Sequence, residues 1–310
     1  SLPRPSYEEL RLEGLPATIY EAGTNGLVYQ QLTCRLPDLS PEELEILPHA
    51  TGMAAELGIG GADYLATQHR QSGSVGSINL FTSMRGGLDD EQQAQASLVL
   101  SSKALSRKSD EQQALMRDML VDLRFDELRR IRDLVAQYRS RREQSITGQG
   151  HSLAMLAAGA GLSPLARLNH VLSGMEGISA LRRLDESLAD DAALEAFAAR
   201  LEGLYGRLRS ADWEALVVAE PDRARAVARG AAQCFAGFAG RGSGDLHLAP
   251  LRETRRECWV VNSQVNFCAK AYPTVPGGHP DAAALTVLAG YLRNGFLHRA
   301  IREQGGGYGG

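Results

Sequence analysis

From Asp110 to about Arg209 this chain is patterned for helix almost without a break, and strand-like runs lie on both sides. "DEQQALMRDML", "FDELRRIRDLVAQYRSRREQ", "SPLARLNHVLSG" and "DAALEAFAARLEGLYGRL" each carry apolar residues at helical spacing. Any fold must therefore attach a long helical insertion to a sheet built from the flanking segments. Upstream, "NGLVYQQLTCRLPDL" opens on an Asn25-Gly26 turn and then alternates. Val28, Gln30 and Leu32 share one face, Tyr29, Gln31 and Thr33 the other, and Pro37 ends the run. "SGSVGSINLFTSMRG" and "AQASLVLSSKAL" read as two strands able to pair antiparallel. Downstream, "WEALVVAE" is a short buried strand, and "PDRARAVARGAAQCFAGF" is a helix with Pro221 at its start.

"SPEELEILPHATGMAAELG" is helical, with Ser40 as N-cap, Pro41 at the first helical position and Glu43 three residues after the cap. Pro48 should kink or split it, and Gly58 should end it. The pattern breaks again at "AGRGSGDLHLAP", where glycines and a serine mark a linker. Beyond it, "ECWVVNSQVNFCAKAYPTVP" is strand-like. A helix from Asp281 to about Gln304 follows, roughly 36 Å long at 1.5 Å per residue. Leu285, Leu288, Leu292 and Phe296 line its apolar stripe, and Gly305 is placed to end it in the left-handed conformation.

The two parts share an order. Strand Val28–Pro37, helix Ser40–Leu57 and a glycine loop come first; strand Val265–Pro273, helix Asp281–Gln304 and loop Gly305–Gly310 come second. Their offset is 237 residues, as in a duplicated unit, and the second copy stops at its loop. The expected organisation is a first domain over 1–240, a linker over 241–257, and the truncated start of a second domain over 258–310. The strand before each helix is a place where an extended peptide could add as a further strand.

Composition excludes several classes. The net charge is −4, and the Arg-rich run Leu128–Glu143 is interspersed with acids, so nucleic acid is not an expected partner. No stretch of 18 apolar residues is present, so a membrane is not expected either. The start, "SLPRPSYEEL", has neither the form of a signal peptide nor an initiator Met. Four cysteines form no CxxC pair and read as ordinary thiols of a reducing compartment. The expected location is the cytoplasm of a bacterial-type cell. No nucleophile elbow, phosphate loop or HExxH-type motif is present.

One motif remains. Arg302 sits in the last helical turn, and Tyr308 follows across Gly305, Gly306 and Gly307. Three glycines let another backbone approach. A guanidinium and a phenol together offer donors for carbonyl groups or a developing oxyanion. The same residues also read as a basic helix end, a glycine cap and a tail.

"GYLRNGFLHRAIREQGGGYGG", with "SQVNFCAKA" before it, resembles the C-terminal half of the pitrilysin/insulinase family of zinc peptidases, in its presequence-protease-type branch. The likeness is specific over Ser263–Gly310 and rests on element order over 1–240; Gly307 stands where that family often has Ala. The resemblance implies α+β domains of the LuxS/MPP-like metallohydrolase type, each an antiparallel sheet covered by helices. Here they would be one near-complete degenerate copy and the start of a second. It also implies a zinc ion, bound by an H-x-x-E-H motif in a separate N-terminal half, and unstructured peptides as substrates. Arg302 and Tyr308 would then reach the substrate backbone, with Gly305, Gly306 and Gly307 making room. In this chain's first helix, His49 stands at a first-ligand place but Gly52 and Met53 occupy the Glu and second-His places, so no zinc is expected in this fragment. The fragment alone would be inactive. The alternative is a non-catalytic peptide-binding or assembly subunit of the same superfamily.

Overall fold

A computed structural model describes residues 7–238 and 244–307. One six-stranded sheet organises the first part, in the order β1-β2-β6-β3-β5-β4. Its strands are β1 (Tyr7–Leu12), β2 (Leu15–Glu21), β3 (Leu27–Arg35), β4 (Ser77–Gly86), β5 (Ala94–Leu105) and β6 (Trp213–Ala219). The β1–β2 hairpin turns at Glu13 and Gly14, whose φ values are 50° and 86°. Positive φ at both turn residues suits the right-handed twist of the strands they join. Strand β6 enters last and inserts between β2 and β3, parallel to the former and antiparallel to the latter. The α+β class expected from the sequence is what forms, with helices covering a mainly antiparallel sheet.

The alternation in β3 sets which face is covered. Val28, Gln30, Leu32 and Cys34 point into the protein, as do Leu15, Ala17 and Ile19 of β2 and Trp213, Ala215, Val217 and Ala219 of β6. The other face carries Tyr29, Gln31, Thr33 and Glu214, with Thr33 donating to the Glu214 carboxylate at 3.1 Å. Strand β3 is paired on both sides, to β5 and to β6, so it offers no free edge to a peptide. That removes the expected strand addition at this position; the sheet edges are β1 and β4.

Helix α1 (Pro41–Gly52) begins as the sequence requires. Glu43 N–H donates to the Ser40 side chain at 3.3 Å, and Ser40 N–H donates to the Glu43 carboxylate at 2.9 Å. Pro48 does not split it: the helix runs through the proline, which is exposed, to Gly52. Helix α2 (Tyr64–Ser74) is capped by Asp63. The helical insertion then comprises α3 (Ser109–Asp122), α4 (Leu128–Gly148), α5 (Gly150–Gly159), α6 (Pro164–Ser173), α7 (Met175–Ser187) and α8 (Asp191–Arg209). Helix α9 (Ala224–Phe235) follows β6 and covers a small cluster of Ile19, Val28, Val217 and Val227. The main core joins the sheet to α1, α3, α4 and α8 through Leu32, Leu47, Leu100, Leu115, Ile131 and Leu201, all 1% exposed or less. Truncating such a side chain to Ala costs about 2–5 kcal/mol.

Residues 244–281 form no strand among the described residues. The expected strand over Val265–Pro273 has no neighbouring strand to supply its hydrogen bonds, and a lone strand is not stable. Instead the segment runs along the body. Leu246 N–H donates to Leu36 O at 2.9 Å, Leu251 N–H to the Gln92 side chain at 2.9 Å, and Glu253 N–H to Gly161 O at 2.9 Å. Helix α10 (Ala282–Leu292) follows, and the winding loosens to π-type over Arg293–Gln304. The predicted helix bounds are thus close to the observed ones. Its apolar stripe is exposed: Leu285, Leu288 and Phe296 all face outward.

Candidate functional site

The C-terminal helix brings Arg302 and the three glycines together. Arg302 lies in the last helical turn and is exposed. Gly305 has φ −88°, so it is Gly306, at φ +68°, that takes the left-handed conformation expected of Gly305. Gly307 N–H then donates to Ile301 O at 2.9 Å. That bond spans one residue more than an ordinary α-helical glycine cap, as the wider π winding demands. Side chains fit poorly here. A Cβ on Gly305 would stand 2.8 Å from Ile301 O, and one on Gly307 would stand 3.0 Å from Ile301 Cγ2. Three consecutive glycines therefore follow from local geometry, and they leave the loop without bulk beside the guanidinium. Tyr308, the second predicted donor, lies outside the described residues.

The first helix does not provide the zinc ligands of the family's inverted motif. His49 packs between Tyr138, 6.5 Å away between ring centroids and stacked, and Phe197, 5.8 Å away and edge-on. Burial holds its imidazole down to about 4, so it is neutral at physiological pH. Met53, at the second-His place, is wholly buried in the main core, and Gly52 has no side chain to offer. These residues do not fit a catalytic zinc, which takes three protein ligands.

Sequence reasoning missed one cluster. His170 of α6, Glu176 in the first turn of α7 and Glu257 of the segment after the sheet unit converge, with one donor atom of each within 4.8 Å of the others. His170 and Glu257 stand 87 positions apart, and no spacing rule links them. None of the cysteines joins this cluster. Burial pushes the Cys34 thiol up to about 12, whereas Cys258 and Cys268 are exposed.

A sequence model of the family described as peptidase M16, subfamily C, associated matches residues 3–184. The chain is 26% identical over 326 residues to the mitochondrial presequence protease of Danio rerio, covering 96% of this chain and 31% of that protein. It is 22% identical to presequence protease 1, chloroplastic/mitochondrial, of Arabidopsis thaliana, covering 96% of this chain and 28% of that protein. The chain thus spans about a third of the length of the curated relatives it matches. Among solved structures, the first half of the periplasmic protease PqqL from Escherichia coli shares the fold. It gives a TM-score of 0.52 at 14% identity, over 81% of this chain and 50% of that one. The expectation of a bacterial-type cytoplasmic protein is overturned, because these presequence proteases carry mitochondrial and chloroplastic names. Unpaired thiols separate reducing from oxidising compartments and do not distinguish one reducing compartment from another.

Proposed function

The chain belongs to this family of peptidase-associated proteins, and on that premise we propose that it is the non-zinc half of a peptide-degrading metallopeptidase. Its sheet unit, over 1–240, is wall rather than catalyst. The observation that carries this reading is the first helix, where the metal-ligand places hold Gly52 and a core Met53. The reading divides the chain into that unit, a linker over 241–257 and the start of a second domain over 258–310. Its partner is the N-terminal half, which holds the zinc of the intact enzyme, and its substrates are unstructured peptides. That zinc supplies the activated water when bound. The residues of this chain do the positioning. Arg302 fixes the register of the peptide backbone through its fork of donors, and the phenol of Tyr308 donates to the scissile carbonyl as its oxygen gains charge. Gly305, Gly306 and Gly307 let the substrate backbone come close to both.

The experiment joins this chain to its zinc-bearing half and follows turnover of an unstructured peptide, with Tyr308→Phe and Arg302→Lys as variants. Loss of a single oxyanion donor lowers kcat by about 10²- to 10³-fold, and Tyr308→Phe is expected to fall in that range or up to tenfold above it. Arg302→Lys keeps the charge and loses the fork, so its main effect is expected on KM. Turnover that resists a chelator, or that neither substitution changes, would overturn the assignment and leave a peptide-binding or assembly subunit.

A further inference from the structure

We propose that His170, Glu176 and Glu257 form a second metal site, for a zinc-like divalent ion, which pins the segment after the sheet unit to the helical insertion. His170 is 0% exposed, and neither of its ring nitrogens has a hydrogen-bond partner. A buried polar group left in this state is costly, so the pocket lacks a component. The carboxylates point at the gap. His170 Nε2 lies 3.0 Å from Glu257 Oε2 and 3.6 Å from Glu176 Oε1. Donors about 2.0–2.1 Å from a tetrahedral ion stand roughly 3.3 Å from one another, and the two distances bracket that edge. One imidazole and two carboxylates make a zinc-type set rather than a calcium or magnesium one.

The surroundings supply an outer shell. Arg255 holds the other oxygen of Glu257, Oε1, at 2.5 Å, and reaches Glu176 Oε1 at 3.3 Å and Glu253 Oε1 at 3.0 Å. Arg167 reaches Glu176 Oε1 at 2.7 Å. The indole N–H of Trp259 donates to Glu257 Oε2 at 2.9 Å. Contacts of this kind orient metal-bound carboxylates. Two guanidinium groups do not neutralise the pocket, since Glu176, Glu253 and Glu257 outnumber them by one negative charge. Gly174 leaves the room that the imidazole fills: a Cβ there would stand 2.4 Å from His170 Nδ1. The competing occupant is a proton on His170.

The 310-residue chain, stripped with a chelator, is titrated with Zn²⁺ and then Co²⁺ near neutral pH. Calorimetry reads stoichiometry, cobalt absorption reads the ligand field, and the emission of Trp259 reads the site itself. One equivalent bound, with a tetrahedral cobalt spectrum, is expected. Glu257→Gln, which keeps shape, and His170→Ala should each weaken binding by about tenfold or more. Arg302→Lys should leave it unchanged, and because binding is read without peptidase activity the result is independent of the proposed function. No stoichiometric uptake, or uptake that Glu257→Gln does not weaken, would overturn the site and leave His170 as a protonated partner of Glu257.

Discussion

Gln30 in the middle of β3 donates from Nε2 to Gln112 Oε1 of α3 at 2.6 Å, with both side chains almost wholly buried. Gln113 completes the link, donating to Gln30 Oε1 at 2.9 Å and to Val227 O of α9 at 3.0 Å. A polar network thus ties the sheet to two helices inside an otherwise apolar core. Its value lies in completeness, because each amide stripped of its partner is left desolvated. Gln30→Leu orphans Gln112 Oε1 and should lower unfolding free energy by about 1–3 kcal/mol. Replacing Gln30, Gln112 and Gln113 together by Leu or Met should cost less than the sum of the three single changes. Urea unfolding of the four variants tests this, and strictly additive losses would show that the amides do not act as a unit.

His49 makes stability depend on pH with a definite sign. Its folded-state value is pressed down to about 4, from about 6.5 in an unfolded chain, because its pocket between Tyr138 and Phe197 disfavours charge. Between those values the unfolded chain binds the extra proton. Stability is therefore full above about pH 6.5, falls as pH drops through that window, and loses no more from this group below about 4. The loss is at most on the order of 3 kcal/mol. Thermal melts from about pH 7 to about pH 4, compared with those of His49→Phe, should show the histidine-containing protein losing more stability over this range. Parallel curves would place the pH dependence elsewhere.

Much of the fold could be read from local pattern because local rules held. Alternation placed Val28, Gln30 and Leu32 on the buried face, and the capping box at Ser40 set the start of α1. The β1–β2 hairpin went unread although "RLEGLPATIYE" alternates around a Glu-Gly turn that the structure uses. The place of β6 between β2 and β3 could not be read at all, since nearly 180 residues separate it from β3 in the chain. At the candidate site, Arg302 and its glycines are contiguous and were found by spacing. The His170 cluster joins two helices to a distant segment, and only folding brings its members together. Val265–Pro273 failed differently: its residues favour a strand, but a strand needs a neighbour, and the described residues supply none.

The glycine loop gives the sharpest separation of local geometry from global stability. Gly306 holds φ +68°, which an L-residue adopts at a cost of roughly 1–2 kcal/mol, and a Cβ on Gly305 would crowd two carbonyl oxygens, Ile301 O at 2.8 Å and Ala300 O at 2.9 Å. Both substitutions to Ala should therefore rebuild the end of the helix. Neither residue touches the core around the sheet, so the unfolding midpoint of that unit should stay within experimental error. In the intact enzyme the consequence is different, because the loop sets where Arg302 and Tyr308 stand relative to each other. A displacement of about 1 Å in a positioning group can cost on the order of a hundredfold in rate. Gly305→Ala and Gly306→Ala should then lower kcat/KM by tenfold or more, about 1.4 kcal/mol in transition-state binding, at unchanged melting temperature. If turnover is retained in both variants, the loop is only a helix terminus, and the role assigned to its glycines is wrong.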